Sequence, residues 1–494
     1  MKLHKLFLVP CLLLASVAVS SAQELETGYF LGGNPYAYRM NPAFQSERST
    51  FSIALGETGL GLWSNLGVST LLYPGNDGKL YTFMNDRVSS QEFLKKIHRR
   101  NAIDADVNIN VLALGIWSRR SFVTVEINAR SINSISYPYD VFSFLKDGTT
   151  AKNSFDFSGT AMRSKTFAEL AVGWSHNYDN VFNVGFRVKG LVGALETEAL
   201  MKKLTLSLNE ERWEVKAQGE LNMSSPTLAY KTDENGDLDF SSVGFFNDKY
   251  GPAGYGAAVD LGVSWNILPL LTLSAAVLDF GAIRWNREIR GKTPDVSYVW
   301  NPSEKEAIDP SSSGGQDAVS REMDEILDNL SGLVRFQDAG SGKAAFDFLP
   351  FRVNLGAEYR MPFYDRLSVG ALYMGRSGSA FGRHTARLSL NWNPLDFLSL
   401  STGTTLNKLG ESIGFALNLH PAGVNLMVGC DYIPFKCVNI APLISDLPAQ
   451  YTRFAVIPAN RMNLNLYLGL NLAFGRRHVD HARRFIERPV EETD

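Results

Sequence analysis

From Met462 to Gly475 the chain alternates without interruption. Leu464, Leu466, Leu468, Leu470, Leu472 and Phe474 fall on one face of an extended backbone, and Asn463, Asn465, Tyr467, Gly469, Asn471 and Ala473 on the other. A period of two means strand, because successive side chains of a strand point to opposite faces. The length is the constraint. Strands of soluble sheets run about 5–6 residues, whereas a tilted strand that crosses a bilayer needs roughly 9–11. An aliphatic face opposite a face of amides and small residues suits lipid outside and a wet or packed lumen inside.

The same unit recurs along the chain. Val123, Val125 and Ile127 oppose Thr124, Glu126 and Asn128. Ala168, Leu170, Val172 and Trp174 oppose Glu169, Ala171, Gly173 and Ser175, and a turn leads to Phe182, Val184, Phe186 and Val188 opposite Asn183, Gly185, Arg187 and Lys189. Ala257 to Trp265, Val353 to Tyr359, Leu367 to Tyr373, Leu388 to Trp392 and Ile413 to Cys430 continue the series. Short turns at 118–120, 176–180, 209–212, 267–270, 361–365, 394–396 and 420–423 interleave with long connections at 74–104, 133–164, 224–253, 286–349 and 433–460. That rhythm is the signature of an outer-membrane barrel, with an even strand number. Counting from Gly59 predicts about sixteen strands, and about fourteen if the polar hairpin 203–222 projects beyond the membrane. Phe51 to Glu57 is a candidate short strand, and Gly59–Tyr73 is expected to be the first full strand and to pair with the closing one. Gln91 to Arg99 and Ala318 to Leu333 carry helical spacing within loops.

The ends fit export. Lys2 and Lys5 precede an apolar run from Leu6 to Val19 and the small residues Ser20-Ser21-Ala22, which predicts a signal peptide over 1–22 cleaved between Ala22 and Gln23. Residues 23–50, with Gly-Gly-Asn-Pro at 32–35 and Asn-Pro-Ala-Phe at 41–44, are turn-rich and read as a plug-like or periplasmic segment. The barrel is expected over 51–475 and a polar periplasmic tail over 476–494. With a formal net charge of −3, nothing calls for a nucleic-acid partner. Cys430 and Cys437 are the only cysteines after the signal, and an oxidising compartment permits a disulfide between them; two free thiols are the alternative.

No catalytic constellation stands out. Gly340-Ser341-Gly342-Lys343 lacks the first glycine and the closing hydroxyl residue of a phosphate loop, and Asp233 to Asp239 lacks the spacing of a calcium loop. His478 and His481 read as solvated residues of the tail. No enzyme activity, cofactor or metal is expected. The charges on polar strand faces are more informative. Glu169, Arg187, Lys189, Asp260, Glu358 and Arg387 are candidates to face the lumen, where they either pair with one another and a plug or contact a substrate.

Several phrases occur together and in order. They are Asn41-Pro-Ala-Phe44, the Trp174 strand leading to Gly185-Phe-Arg-Val-Lys189-Gly190-Leu191, Asp260-Leu-Gly262, Leu278-Asp-Phe-Gly281 before Ile283-Arg-Trp285, and Gly469-Leu-Asn-Leu-Ala-Phe474-Gly475. As a set they resemble a family of Bacteroidota outer-membrane proteins catalogued as domain of unknown function 5723. The early Asn-Pro-Ala is shared with FadL-type (OmpP1/TodX-like) barrels, and that resemblance implies an all-β antiparallel transmembrane barrel of about fourteen strands with an N-terminal plug and long extracellular loops. FadL-type proteins take up hydrophobic molecules. The expectation is therefore an outer-membrane barrel in contact with lipid, a channel for small hydrophobic ligands. The alternative is a structural or secretion-associated barrel with a filled lumen, binding through its long loops protein partners that the sequence does not identify. The resemblance supplies no site residues.

Overall fold

The structure, a computed structural model, describes residues 26–478 except 54–55, 57, 75–79, 149–151, 180, 209–212, 228, 233–235, 237, 245–250, 294–296, 301–335, 379–382, 408–409, 422, 434–436, 440–455, 459–460 and 476–477. The expected cleavage site at Ala22 and Gln23 and the helix expected over Ala318–Leu333 lie outside the described residues. No described helix is long and apolar enough to cross a membrane. The crossing elements are strands.

Among the described residues, fourteen antiparallel strands close into one barrel. In chain order they are β1 (Ser49–Ile53 and Thr58–Gly67, one strand broken between its two parts), β2 (Arg100–Ser118), β3 (Ser121–Pro138), β4 (Ala161–Tyr178), β5 (Phe182–Leu208), β6 (Gly254–Leu268), β7 (Leu271–Trp285), β8 (Arg352–Met361), β9 (Tyr364–Arg376), β10 (Arg383–Leu395), β11 (Leu398–Asn407), β12 (Gly410–Leu419), β13 (Val424–Ile433) and β14 (Arg461–Phe474). Each pairs with its sequence neighbour. The ring closes where β14 pairs with both parts of β1, Phe51 opposite Leu472 and Thr58 opposite Leu468. Closure gives every described barrel strand a partner on both sides, as strands in hydrocarbon require.

The strand count follows from β5. Its first half, to Gly193, pairs with β6, and its second half, from Glu196, pairs instead with the hairpin arm Trp213–Ser224. That arm pairs on its other side with Ile289–Lys292 and Ser297–Trp300. The hairpin therefore rises beyond the ring at the long-loop end, and the even number settles at fourteen rather than sixteen. Two other expectations shift. The short strand forms over Ser49–Ile53 and joins the full one as a single barrel strand, and Val68–Leu71 is helical rather than extended. A loop helix forms over Ser90–Leu94, overlapping only the start of the Gln91–Arg99 expectation.

The outer surface carries the apolar faces. Leu170, Val172, Phe186, Val188, Leu261, Val263, Leu388, Leu390, Phe415 and Val428 are exposed, as are Leu466, Leu468, Leu470, Leu472 and Phe474 of β14. On the inner face of β14, Asn465, Tyr467, Asn471 and Ala473 are buried. This is an inside-out protein: an apolar belt this continuous is stable facing lipid, where burial of the opposite, polar face is satisfied by hydrogen bonds within the lumen. Exposed Tyr178, Phe182, Trp265, Tyr359, Phe363 and Trp392 mark the short-turn rim, and Tyr255, Phe280, Phe346 and Phe348 the opposite one, as aromatic girdles do. Cys430 on β13 is a free thiol; the side chain of Cys437 lies outside the described residues.

Candidate functional site

Residues 26–48 fill the lumen. They are not periodic: two short 3-10 turns, Glu26–Gly28 and Ala37–Arg39, are linked by tight turns at glycines and asparagines. Asn34 and Asn41 close turns locally, each accepting a backbone N–H two residues on. Asn41 also donates to the carbonyls of Val263 and Ala275 on β6 and β7, at 3.1 and 3.4 Å. Asn354 on β8 donates to Met40 O at 2.8 Å, and Tyr36 donates to Leu470 O on β14 at 3.2 Å. The plug thus touches walls on opposite sides of the ring. Close approach is built into the wall: a Cβ on Gly185 of β5 would lie 2.0 Å from Pro42 O, and one on Gly370 of β9 would lie 2.3 Å from the Phe30 ring. Only glycine fits there.

One buried ionic network joins the plug to six strands, β3 to β8. Arg39 donates from Nε to Glu126 Oε1 at 2.7 Å, and Tyr38 donates its hydroxyl to the same oxygen at 2.7 Å. The other oxygen of Glu126, on β3, accepts from Arg187 on β5. Arg187 also reaches Asp260 on β6 at 3.2 Å, and Asp260 pairs with Lys189 at 2.8 Å. Lys189 contacts Asp279 on β7 at 2.6 Å. Asp279 further accepts a bidentate pair from Arg130 at 2.8 and 3.0 Å, and one bond from Arg352 at 3.2 Å, while Arg130 also holds Glu169 at 2.8 Å. The Asp279 backbone N–H donates to Asp260 Oδ1 at 2.7 Å, in a left-handed conformation (φ 59) unusual for a residue other than glycine. Buried charges are tolerable only when compensated this completely.

A second, smaller latch holds the start of the plug. Asp431 on β13 accepts the backbone N–H groups of Glu26 and Thr27 at 2.8 and 2.6 Å, and Asn465 donates to it from β14. Arg387 on β10 bonds Thr27 and reaches Glu26 and Asp431, both at 3.4 Å. At the long-loop end of the lumen, Arg376 on β9 and Arg383 on β10 cross to Asp106 on β2, on the far side of the ring.

The structure therefore gathers Glu169, Arg187, Lys189 and Asp260 in one cluster and sets Arg387 apart in the other latch. Glu358 joins neither; half-buried near the short turns, it accepts from Ser368 Oγ at 2.6 Å. Glu126, Asp279, Arg130, Arg352 and Arg39 were not anticipated as site residues. Glu126 shares a face with Thr124 and Asn128, a signal already present in the alternation. Asp279 gave no such signal, since its positive φ breaks the alternation: Leu278 and Asp279 are both buried and Phe280 is exposed. Among the described residues, no grouping of three or more His, Cys, Asp and Glu could hold a metal.

The wall opens beside this network. Ala345–Phe348 continues β8 along β7 in the same register, with Ala282 opposite Phe348 and Leu278 opposite Arg352, but residues 349–351 break the strand between them. At the break lies a cavity of about 480 Å³. Phe280, Phe346, Phe348 and Phe351 line its outer mouth, and Lys165 paired with Asp347 and Arg163 paired with Glu198 line its inner side. Beyond it, on the rising part of β5, burial pushes the Glu196 carboxyl up to about 7, against the opposing effects of a Ser224 hydrogen bond and nearby Arg287.

The chain belongs to the family of unknown function DUF5723, whose model matches residues 42–431. No curated protein sequence matches it. Among solved structures it is similar to the Ralstonia pickettii toluene transporter TbuX (10% identity, TM-score 0.40, covering 90% of this chain and 94% of that one). It is also similar to the Pseudomonas putida toluene transporter TodX (9%, TM-score 0.37, 92% and 95%) and to a Pseudomonas aeruginosa FadL homologue (11%, TM-score 0.36, 92% and 97%). Likeness at this level does not say what this chain carries.

Proposed function

We propose that this family member is an outer-membrane channel for small hydrophobic ligands, held closed by its N-terminal plug. Export through a signal peptide cleaved after Ala22 belongs to the same reading, with the short turns in the periplasm and the long loops outside. The observation that carries it is the break in the wall at residues 349–351. There a cavity meets lipid through Phe280, Phe346, Phe348 and Phe351 and meets the lumen through Lys165 and Asp347. An apolar solute dissolved in the membrane gains nothing from a polar lumen, and an aromatic-lined gap in the wall is where such a solute could be taken up. Polar and charged side chains obstruct the axial route for a hydrocarbon: the plug below, and the Asp106 pairs above.

The test is to purify the full chain in mild detergent, identify co-purifying lipid by mass spectrometry, and measure uptake of a radiolabelled aromatic hydrocarbon into proteoliposomes. Uptake that falls on Phe348→Arg supports the reading. A lipid-free protein whose proteoliposomes take up nothing, even after the plug is loosened by Glu126→Ala, would sink it. A second reading has its own support. Ion pairs that span the lumen and a plug bonded to opposite walls suit a structural barrel whose long loops bind a partner. In that case loosening the plug admits no hydrocarbon, while deleting the hairpin 203–222 abolishes the protein's cellular role without harming barrel assembly.

A further inference from the structure

The two sides of the plug are not equally sealed. Against β2–β8 the plug meets paired charges. Against β11–β14 it packs Leu31 and Tyr36 on Ala416, Met427 and Tyr467 and otherwise meets mainly amides and hydroxyls, several of which have an atom that no protein group satisfies. Asn418 on β12 donates to Gly32 O of the plug at 3.3 Å, but its Oδ1 has no partner. Asn471 on β14 accepts from Asn425 at 2.9 Å, and its Nδ2 has none. Higher on the same wall, Thr405 on β11 lies opposite Ser412 on β12, and both hydroxyls lack protein partners. Asn418, Asn471 and Thr405 are buried to 2% exposure or less. A buried polar atom left dry is costly, so a row of them marks a wetted gap. The row has a mouth. At the short-turn rim a cavity of about 190 Å³ is lined by Gly33 of the plug, Ser46, His420 and Asn425, the last being the residue bonded to Asn471. Taking about 30 Å³ per molecule, that volume holds several waters.

We propose that the seam between the plug and the β11–β14 wall is a route for water and small uncharged polar solutes through the plugged barrel. The chemistry of the seam sets the class. Amides and hydroxyls exchange hydrogen bonds with urea, glycerol or water at little cost. Beside it Arg387, Glu26 and Asp431 hold each other, and Glu47, Asp396 and Arg48 line the mouth, so both signs are present and neither an anion nor a cation meets a site of one sign alone. Arg187 Nε on the other wall also lacks a partner, but its guanidinium is held between Glu126 and Asp260 in the ionic network. The route is independent of hydrocarbon uptake, which concerns the wall break at 349–351.

The experiment is osmotic stopped-flow light scattering on proteoliposomes of the full chain. Water and urea should cross several-fold faster than in protein-free vesicles, whereas arginine and glutamate should not. Thr405→Val with Asn418→Leu should return urea to the protein-free rate, with heat-modifiable migration confirming a folded barrel. Should that pair fail to fold, the near-isosteric Asn418→Asp, which puts a charge in the gap, should slow urea with the volume unchanged. The proposal is overturned if the wild-type protein is no faster than empty vesicles, if ions pass as readily as urea, or if the folded variants match the wild type.

Discussion

The lumen has two walls of different chemistry, and the plug is held differently by each. On β3 to β8, Glu126, Glu169, Arg187, Lys189, Asp260, Asp279 and Arg352 form a paired network that includes Arg39 of the plug. On β9 to β14 the buried inward residues are mostly neutral: Ser368, Ser389, Asn391, Ser399, Ser401, Thr405, Asn418 and Asn471, with Arg387 and Asp431 as the exceptions. The energetic meaning differs. Removing one member of a buried ion pair leaves its partner charged and unsolvated, whereas removing one hydroxyl from a neutral set forfeits a modest hydrogen bond. The charged wall anchors the plug through an extended ionic network; the mostly neutral wall holds it through the single Arg387–Asp431 latch at its start and a few neutral hydrogen bonds.

The comparison can be broken at its strong end first. Glu126→Ala removes the buried carboxylate that Arg39 and Arg187 share and should cost about 3–5 kcal/mol in urea-induced unfolding of the detergent-solubilised barrel. If it costs no more than a change on the neutral wall, the two walls are energetically alike and the distinction fails. The outer face supplies the next test. Leu468→Arg places a cation against lipid at mid-depth and should cost about 2–4 kcal/mol, read as lost heat-modifiable protein in membranes. Normal assembly of that variant would mean that the faces of β14 are assigned the wrong way round.

Smaller effects sharpen the contrast. Gly185→Val drives a side chain into the Pro42 carbonyl and should cost about 1–3 kcal/mol, or unseat the plug so that protease reaches residues 26–48 in the folded barrel. On the neutral wall, Ser401 donates to Asn391 Oδ1 at 2.6 Å, and Ser401→Ala should cost about 0.5–1.5 kcal/mol with the plug still protected. Outside both walls, Glu196 is held protonated to about 7, above its unfolded value of 4.5. Its neutral form is favoured by folding, so stability should fall as pH rises from 4.5 to 7, and Glu196→Gln should flatten that part of the pH profile. A pH profile identical in the variant would assign the dependence to another group.

The inward placement of Glu169, Arg187, Lys189 and Asp260 was readable because each sits on the polar phase of a regular alternation. That they pair into one network was not readable, since strand neighbours fix only which residues stand abreast: Asp260 opposite Arg187 across β6 and β5, for instance. Arg39, which ties this network to the plug, lies in a segment with no period to read. Asp279 sits where the period itself breaks. Of the two cysteines, spacing allowed a bridge, but bonding depends on where the two β-carbons lie, and Cys430 stands free.

The sequence by itself determined the wall: strands too long for a soluble sheet, apolar on one face, short turns alternating with long loops, and an even count. Those properties are local and repeat with the two-residue period of the backbone, so a linear reading recovers them. Tertiary structure alone decided what fills the barrel. The plug has no period, its contacts join residues hundreds of positions apart, and its seat is shaped by glycines such as Gly185 whose missing side chains count only once Pro42 lies against them. The choice between fourteen and sixteen strands was also tertiary, because β5 changes partner partway along its length and only the closed ring fixes where.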